Sequence, residues 1–407
     1  MIQDIFDRGE LEAEVGQTAF PALRLAHRLS PEAIRDLIEQ AGLVGKGGAG
    51  FPTCRKLALM QRQPDAVKYV VINGGEHEPG SGKDHHLLEH YPITVLEGAL
   101  ILAHAASAGV LHIALLQTAE RAIENLKNAV RLLKEDSLSK CAPEVRISVV
   151  SESYIVGEES ALLEVLSGRD PLPRQRPPHP VQAGLDGRPT LVQNVETVSH
   201  LPYIVLYGAA SYRALSPAGA GVTLCTFGPE FVKEGVCLVP LGISLRDVLT
   251  IYGGGLKSGK KIKAVQPGGY SAGFLTNAEL DVCFDHAPLR EAGSALGCGV
   301  IRAFDEDQDM VSVAADVMDF FRQSCCGQCP GCRMQTQVLS RIMDQTLAGR
   351  GSEKLTRQVP VVIKANEDKG ICGFIHMPAA PALSILKKFD EDFVRHFEVS
   401  TDKVVRE

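Results

Sequence analysis

KYVVINGGEHEPGSGKD, residues 68–84, is the stretch on which the fold turns. Lys68 to Asn73 is rich in β-branched residues and reads as a strand that stops at the turn Gly74-Gly75. Downstream, a helix is expected from about Pro92, and VLHIALL at 110–116 reads as the next strand. Residues 118–135 place Ile123, Leu126, Val130 and Leu133 on one face at helical spacing. VRISVV follows as a strand, and a further helix starts near Glu158. Alternation of this kind implies parallel strands covered by helices, an α/β, Rossmann-like unit. Ligands of such sheets lie beyond the C-terminal strand ends, where Asn73 to Pro79 would sit.

Working outward, the segment before the strand holds a short helix, PEAIRDLIEQAG, and then GLVGKGGAGFPTCRK. Glycines at 45, 47, 48 and 50 let the backbone approach a flat or phosphorylated ligand, and successive N–H groups there form an anion nest. Lys46 and Lys56 add positive charge. The run matches neither the GxGxxG nor the P-loop spacing, so a glycine loop without a ligand is the competing reading. Within the turn, Glu76 and Glu78 project to the same side if the segment is extended; a solvated acidic loop is the plain alternative. The neighbouring His85 and His86 point to different faces and are expected at the surface.

Beyond the α/β region, PLPRQRPPHP at 171–180 is extended and cannot be helical. Past Gly221 come short strands, VTLCTFG and VCLVPLG, a helix, LRDVLTIYGGG, and the strand KIKAVQPGG, which together suggest a small ubiquitin-like β-grasp unit. From Val311 the pattern is helical. Three domains are therefore expected: 1–219, 220–300 and 301–407, the last a helical bundle around a cysteine cluster.

That cluster reads SCCGQCPGCR, in which Cys326, Cys329 and Cys332 are each separated by two residues. Such spacing turns successive thiolates into one pocket, as an iron–sulfur cubane requires. The fourth ligand must come from elsewhere, and Cys372, in the Gly-flanked loop ICGF, is the best candidate. Zinc is the rival, because four thiolates also suit a closed tetrahedral site. A register starting at Cys325 would break the spacing.

Composition limits the remaining classes. The chain has 407 residues, is 45% hydrophobic and 22% charged, and carries a net charge of −7. Its length favours two or three domains, and its dispersed Lys and Arg offer no nucleic-acid stripe. Eleven cysteines without a secretory signal argue against a disulfide scaffold. The N-terminus MIQDIFDRGELEAEVG is acidic and lacks an apolar signal region. The longest apolar stretch, Ile93 to Leu116, is interrupted by Glu97, His104, Gly109 and His112 and reads as helix then strand, with no direct membrane span.

Taken in order, GKGGAGFPT, NGGEHEPGS, YIVGEESALLEVLSGR, RPPHP, GRPTLVQNVETV, the PGG segment and SCCGQCPGCR with Cys372 resemble one family. It is the NADH-binding flavoprotein subunit of respiratory complex I, with the diaphorase subunits of bidirectional hydrogenases and of NAD-dependent formate dehydrogenases. The resemblance runs from about residue 40 to the C-terminus. It implies FMN against Gly45, Lys46, Gly47, Gly48 and Lys56. Asn73 and Glu76 would reach the flavin from the acidic turn, with Glu76 as the catalytic residue, and Tyr154, Gly157 and Glu158 would reach it from the YIVGEE segment. Gln193, Asn194 and Thr197 would close over the phosphate or ribityl side. NAD(H) would stack near Phe51 and meet Glu78, Glu159 and Arg176, and the four cysteines would hold a [4Fe–4S] cluster.

Some positions depart from the family pattern. Lys46 stands for Arg, Gly75 for an Asp on the flavin side, His179 for an aromatic residue after the double proline, and Gln193 for Asn. The function implied is electron entry: hydride from NADH to FMN, then single electrons to the cluster and on to a partner. That partner is expected to be a separate small [2Fe–2S] thioredoxin-like subunit, and the setting cytoplasmic or the cytoplasmic face of a membrane complex. A flavin and iron–sulfur relay without nucleotide binding and a zinc-stabilised scaffold remain as alternatives. The choice of NADH over NADPH and the terminal acceptor are left open.

Overall fold

The computed structural model describes residues 5–7, 19–64 and 67–404, with side chains to residue 397. Most of the acidic N-terminal segment lies outside the described residues.

Two sheets and a helical region organise the chain. The first sheet has four strands, β1 (Tyr69–Gly74), β2 (Val110–Leu116), β3 (Glu144–Val150) and β4 (Thr190–Asn194), in the order β3-β2-β1-β4. All pairings are parallel. Every residue of β2 is buried, as expected of an inner parallel strand covered on both faces. The helix Pro92–Ala106 lies within the core; the helix Glu120–Glu135 instead turns only Ala122, Leu126, Ala129 and Leu133 inward. Burying each of those leucines stabilises the fold by about 1.5–3 kcal/mol.

Strand order reverses between β1 and β4, so the sheet has a topological switch point there. Asn73 and Asn194 are paired in register at its C-terminal edge. β4 had no forecast from the sequence. It is short, almost wholly buried and enclosed by Pro189 and a helix, so it shows no alternation.

The second sheet contains β5 (Val222–Phe227), β6 (Gly235–Pro240), β7 (Ile262–Gln266), β8 (Leu275–Thr276) and β9 (Val300–Asp305). Its order is β6-β5-β9-β7-β8, with β5 and β9 parallel and the other pairs antiparallel. Leu245, Val248 and Leu249, from the turn of helix after β6, fill its core. This is a β-grasp arrangement, whose last strand, β9, runs to Asp305.

The remainder is helical: Met310–Ser324, Pro330–Gln345, Gln358–Asn366, Ala379–Lys388 and Asp390–Val404. These helices bury Phe321, Leu339, Ile342, Phe374 and Ile385 together with Cys329 and Cys332.

Candidate functional site

The glycine loop joins the helices Pro31–Ala41 and Thr53–Gln61. Its neck is closed by Gly45 N–H donating to the Phe51 carbonyl at 2.9 Å and Thr53 N–H to Leu43 at 3.1 Å. Between them the chain passes between β4 and the second sheet. A Cβ on Gly47 would stand 3.3 Å from Asn194 Cβ, and one on Gly50 (φ +62°) would stand 2.8 Å from the His286 ring. Glycine is thus required at 50 by both backbone conformation and space. Phe51 leaves the loop with 48% of its surface exposed.

Lys46 does not extend the anion nest with its side chain. Its ammonium is buried and donates to the Val222 carbonyl at 3.0 Å, while its N–H donates to Thr197 Oγ1 at 2.9 Å. Burial lowers its pKa despite the attraction of Glu196. Lys56 instead reaches Glu159 at 2.7 Å and the Val192 carbonyl at 2.8 Å. Gln193 donates to Thr53 Oγ1 at 3.2 Å.

The acidic turn is held differently at its two glutamates. Glu76 accepts from the Asp84 N–H (3.2 Å), the His85 N–H (3.0 Å) and the Ser81 hydroxyl, so it caps the helix Lys83–His90. Burial would raise its pKa, but His85, Lys83 and these hydrogen bonds outweigh that and bring it to about 2. Glu78 points elsewhere, accepting from Tyr154 Oη at 3.0 Å and from the Tyr270 N–H at 2.6 Å. Its pKa is raised by burial. Asn73 donates to the Gly157 carbonyl at 3.2 Å and accepts the Gly75 N–H at 3.1 Å. Glu158 caps the helix Glu159–Leu166, and Arg176 pairs with both Glu158 and Glu159.

Beneath the turn lies a charge cluster the sequence reading missed. Lys83 is buried and pairs with Asp84 at 2.8 Å and Glu196 at 3.0 Å, and donates to Asn194 Oδ1 at 3.2 Å. Asn194 donates in turn to Asp84 at 2.6 Å. Glu196 also accepts the Leu224 N–H at 2.8 Å and the Thr223 hydroxyl at 2.9 Å, which ties the first sheet to β5. Burial raises Asp84, whereas Lys83 and His200 hold Glu196 ionised against burial. The signal was available: Lys83 and Asp84 precede the buried Leu87 and Leu88 by one helical turn, so they share the inward face.

Cys326, Cys329, Cys332 and Cys372 line one small cavity with Pro173, Ile371 and Phe374. Cys325 is not among the lining residues; its sulfur lies 3.8 Å from that of Cys332. The Ile371 N–H donates to Cys329 Sγ at 3.3 Å, the kind of bond that steadies a thiolate ligand. Among the described residues no three His, Cys, Asp or Glu side chains gather as a site for a single metal ion. One tyrosine links the cavity to the turn. Tyr154 bonds Glu78 and packs edge-on against Phe374 of the cavity wall, with ring centroids 6.0 Å apart.

Both expected groups can be tested against these residues. Close to the switch point, His77 has both ring nitrogens buried without a hydrogen-bond partner, and so does Nε2 of His286 over Gly50. An unmet polar atom over the glycine loop, His286 Nε2, fits a polar, flat ligand such as FMN. Four thiols around one cavity, one already receiving an N–H, fit a [4Fe–4S] cluster.

Residues 38–203 match the family described as Nuo51 FMN-binding domain, and residues 312–396 match the NADH-ubiquinone oxidoreductase-F iron-sulfur binding region. The chain is 33% identical to the NADH-quinone oxidoreductase F 2 subunit of Rhizobium meliloti, covering 93% of this chain and 92% of that protein. It is 31% identical to the NADP-reducing hydrogenase subunit HndC of Solidesulfovibrio fructosivorans, over 96% of this chain and 81% of the relative. Among solved structures it resembles a chain of an NAD+-reducing [NiFe]-hydrogenase in the H2-reduced state. The TM-score there is 0.86 at 29% identity, covering 96% of this chain and 67% of the other.

Proposed function

This chain belongs to the flavoprotein family of the F subunits of NADH-quinone oxidoreductases, and from that membership we propose that it is the electron-entry subunit of an NADH:acceptor oxidoreductase. It takes reducing equivalents from NADH through FMN to a [4Fe–4S] cluster. The observation that supports this reading is the contact of Tyr154 with both Glu78 of the acidic turn and Phe374 of the cysteine cavity, the two regions to which the reading assigns nucleotide and cluster. When bound, FMN supplies two-electron chemistry toward nicotinamide and one-electron chemistry toward the cluster.

The protein's part is to bind, orient and keep charge in place. Gly45, Gly47 and Gly48 offer backbone to the flavin, with Thr197 and Lys46 fixing the loop from behind. Asn73 and Gly157 hold the β1 end to the YIVGEE turn. Glu76 keeps the acidic turn seated on its helix; ionised and fully bonded, it acts by position. Phe51 is the exposed ring for nicotinamide stacking, and Lys56, Glu159 and Arg176 form a linked charge network. Cys326, Cys329, Cys332 and Cys372, which line one cavity, would hold the cluster through their thiolates.

Relatives of this chain are subunits of larger assemblies, and among the described residues no helix is long and apolar enough to cross a membrane. The immediate acceptor we assign is a separate [2Fe–2S] thioredoxin-like subunit, with the complex at or in the cytoplasm. Anaerobic reconstitution with FMN, iron and sulfide tests the cofactor assignment. One flavin and one [4Fe–4S] cluster per chain are expected; a colourless protein retaining zinc would sink it.

A further inference from the structure

Cys325 stands beside the cysteine cavity without lining it. It is the C-terminal cap of the helix Met310–Ser324, and its sulfur makes a hydrogen-bonding contact with Cys332 Sγ at 3.8 Å. Gly327, in the left-handed region at φ +77°, turns the chain between the two cysteines. Cys332 and Thr336 lie one turn apart on the helix Pro330–Gln345, and Cys325 bonds to both side chains from outside the cavity. The other three cavity cysteines meet main-chain donors. Ile371 N–H donates to Cys329 Sγ at 3.3 Å. Burial raises Cys326 and Cys372, and main-chain hydrogen bonds from Gln328 and Phe374 oppose that rise. At Cys332 the partner is a side chain that can be exchanged.

We propose that the Cys325 thiol donates a hydrogen bond to Cys332 and thereby raises the reduction potential of the [4Fe–4S] cluster. The inference rests on the cluster reading given above. Between two free thiols either sulfur can donate, and sharing one proton lowers Cys325 while it raises Cys332. Coordination fixes the direction: cysteine ligates as its thiolate, so Cys332 then only accepts and Cys325 keeps the proton. Negative charge on the ligand sulfur favours the protonated neighbour. When an electron arrives, more negative charge gathers on the sulfurs, and an S–H donor stabilises that reduced state more than the oxidised one. Cys325 is thus a positioning residue that makes the cluster a readier acceptor for single electrons.

The test is an EPR-monitored redox titration of the reconstituted full-length chain, with iron and sulfide counted per chain. Cys325→Ala should keep one cluster. At the potential where half the wild-type clusters are reduced, its reduced-to-oxidised ratio should fall up to about tenfold, or about 59 mV for one electron. Cys325→Ser restores a donor and should lie between the two. Pulsed EPR should show an exchangeable-proton coupling in the wild type that Cys325→Ala lacks. The wild-type potential in Cys325→Ala overturns the proposal, as does a serine variant that shifts as far as the alanine. Loss of the cluster from both folded variants also overturns it, because Cys325 would then be a ligand. A wild-type chain that takes up no cluster overturns the cluster reading as well. Thermal unfolding reports folding; should Cys325→Ala misfold, Cys325→Val fills the space without a donor, and the wild-type potential there overturns the proposal.

Discussion

Replacing Glu76 with glutamine keeps the shape of the side chain and removes its charge. In the folded protein that charge sits on the N-terminus of the helix Lys83–His90, bonded by Asp84 N–H, His85 N–H and Ser81. Its pKa is about 2 against an ordinary value of 4.5. A tenfold change in proton affinity between the folded and unfolded states is worth about 1.36 kcal/mol, so the ionised carboxylate contributes about 3 kcal/mol of stability. The folded value is the depressed one; the contribution is therefore complete above pH 4.5 and lost as pH falls toward 2. Urea unfolding of wild type and Glu76→Gln should show the wild type more stable at pH 7. The gap should narrow by up to about 1.4 kcal/mol on going to pH 3.5. Asp84 is raised by burial and by the Glu76 charge itself, and His85 is raised by its bond to Glu76; both answer to the loss of that charge in the opposite sense, so about 1.4 kcal/mol is the upper bound of the narrowing. Two curves that stay parallel from pH 7 to pH 3.5 would refute the capping account.

Other consequences are equally accessible. Cys372→Ala should abolish the [4Fe–4S] EPR signal, whereas Cys325→Ala, outside the cavity lining, should retain it. Gly50→Ala forces a side chain into a left-handed conformation against His286, and thermal unfolding should report a loss of at least about 1–2 kcal/mol. Trimming the exposed Phe51 to Ala should raise KM for NADH up to about tenfold with little change in kcat, because one aromatic stack is lost.

The parts of the molecule that were legible in the sequence are those whose signal is local. KYVVIN and VLHIALL become β1 and β2, the amphipathic 118–135 segment becomes the helix Glu120–Glu135, and the CxxCxxC spacing leads to the cavity that Cys372 completes. The forecast ligand edge at Asn73 lies at the switch point. What stayed hidden depends on pairing between distant segments. β4 is defined by its partner strand and not by its own pattern. Glu196 shows its role only where Lys83 and the Leu224 N–H converge on it from either side. Lys46 looked like an anion ligand because its neighbours are glycines, yet its stem runs inward to Val222.

The central claim is that this chain passes electrons from NADH through a flavin to a cluster, and anaerobic titration with NADH tests it most directly. The account predicts that the flavin absorbance bleaches and that a reduced [4Fe–4S] EPR signal grows as NADH is added. A flavin that stays oxidised at saturating NADH, in protein that holds both cofactors, would contradict it.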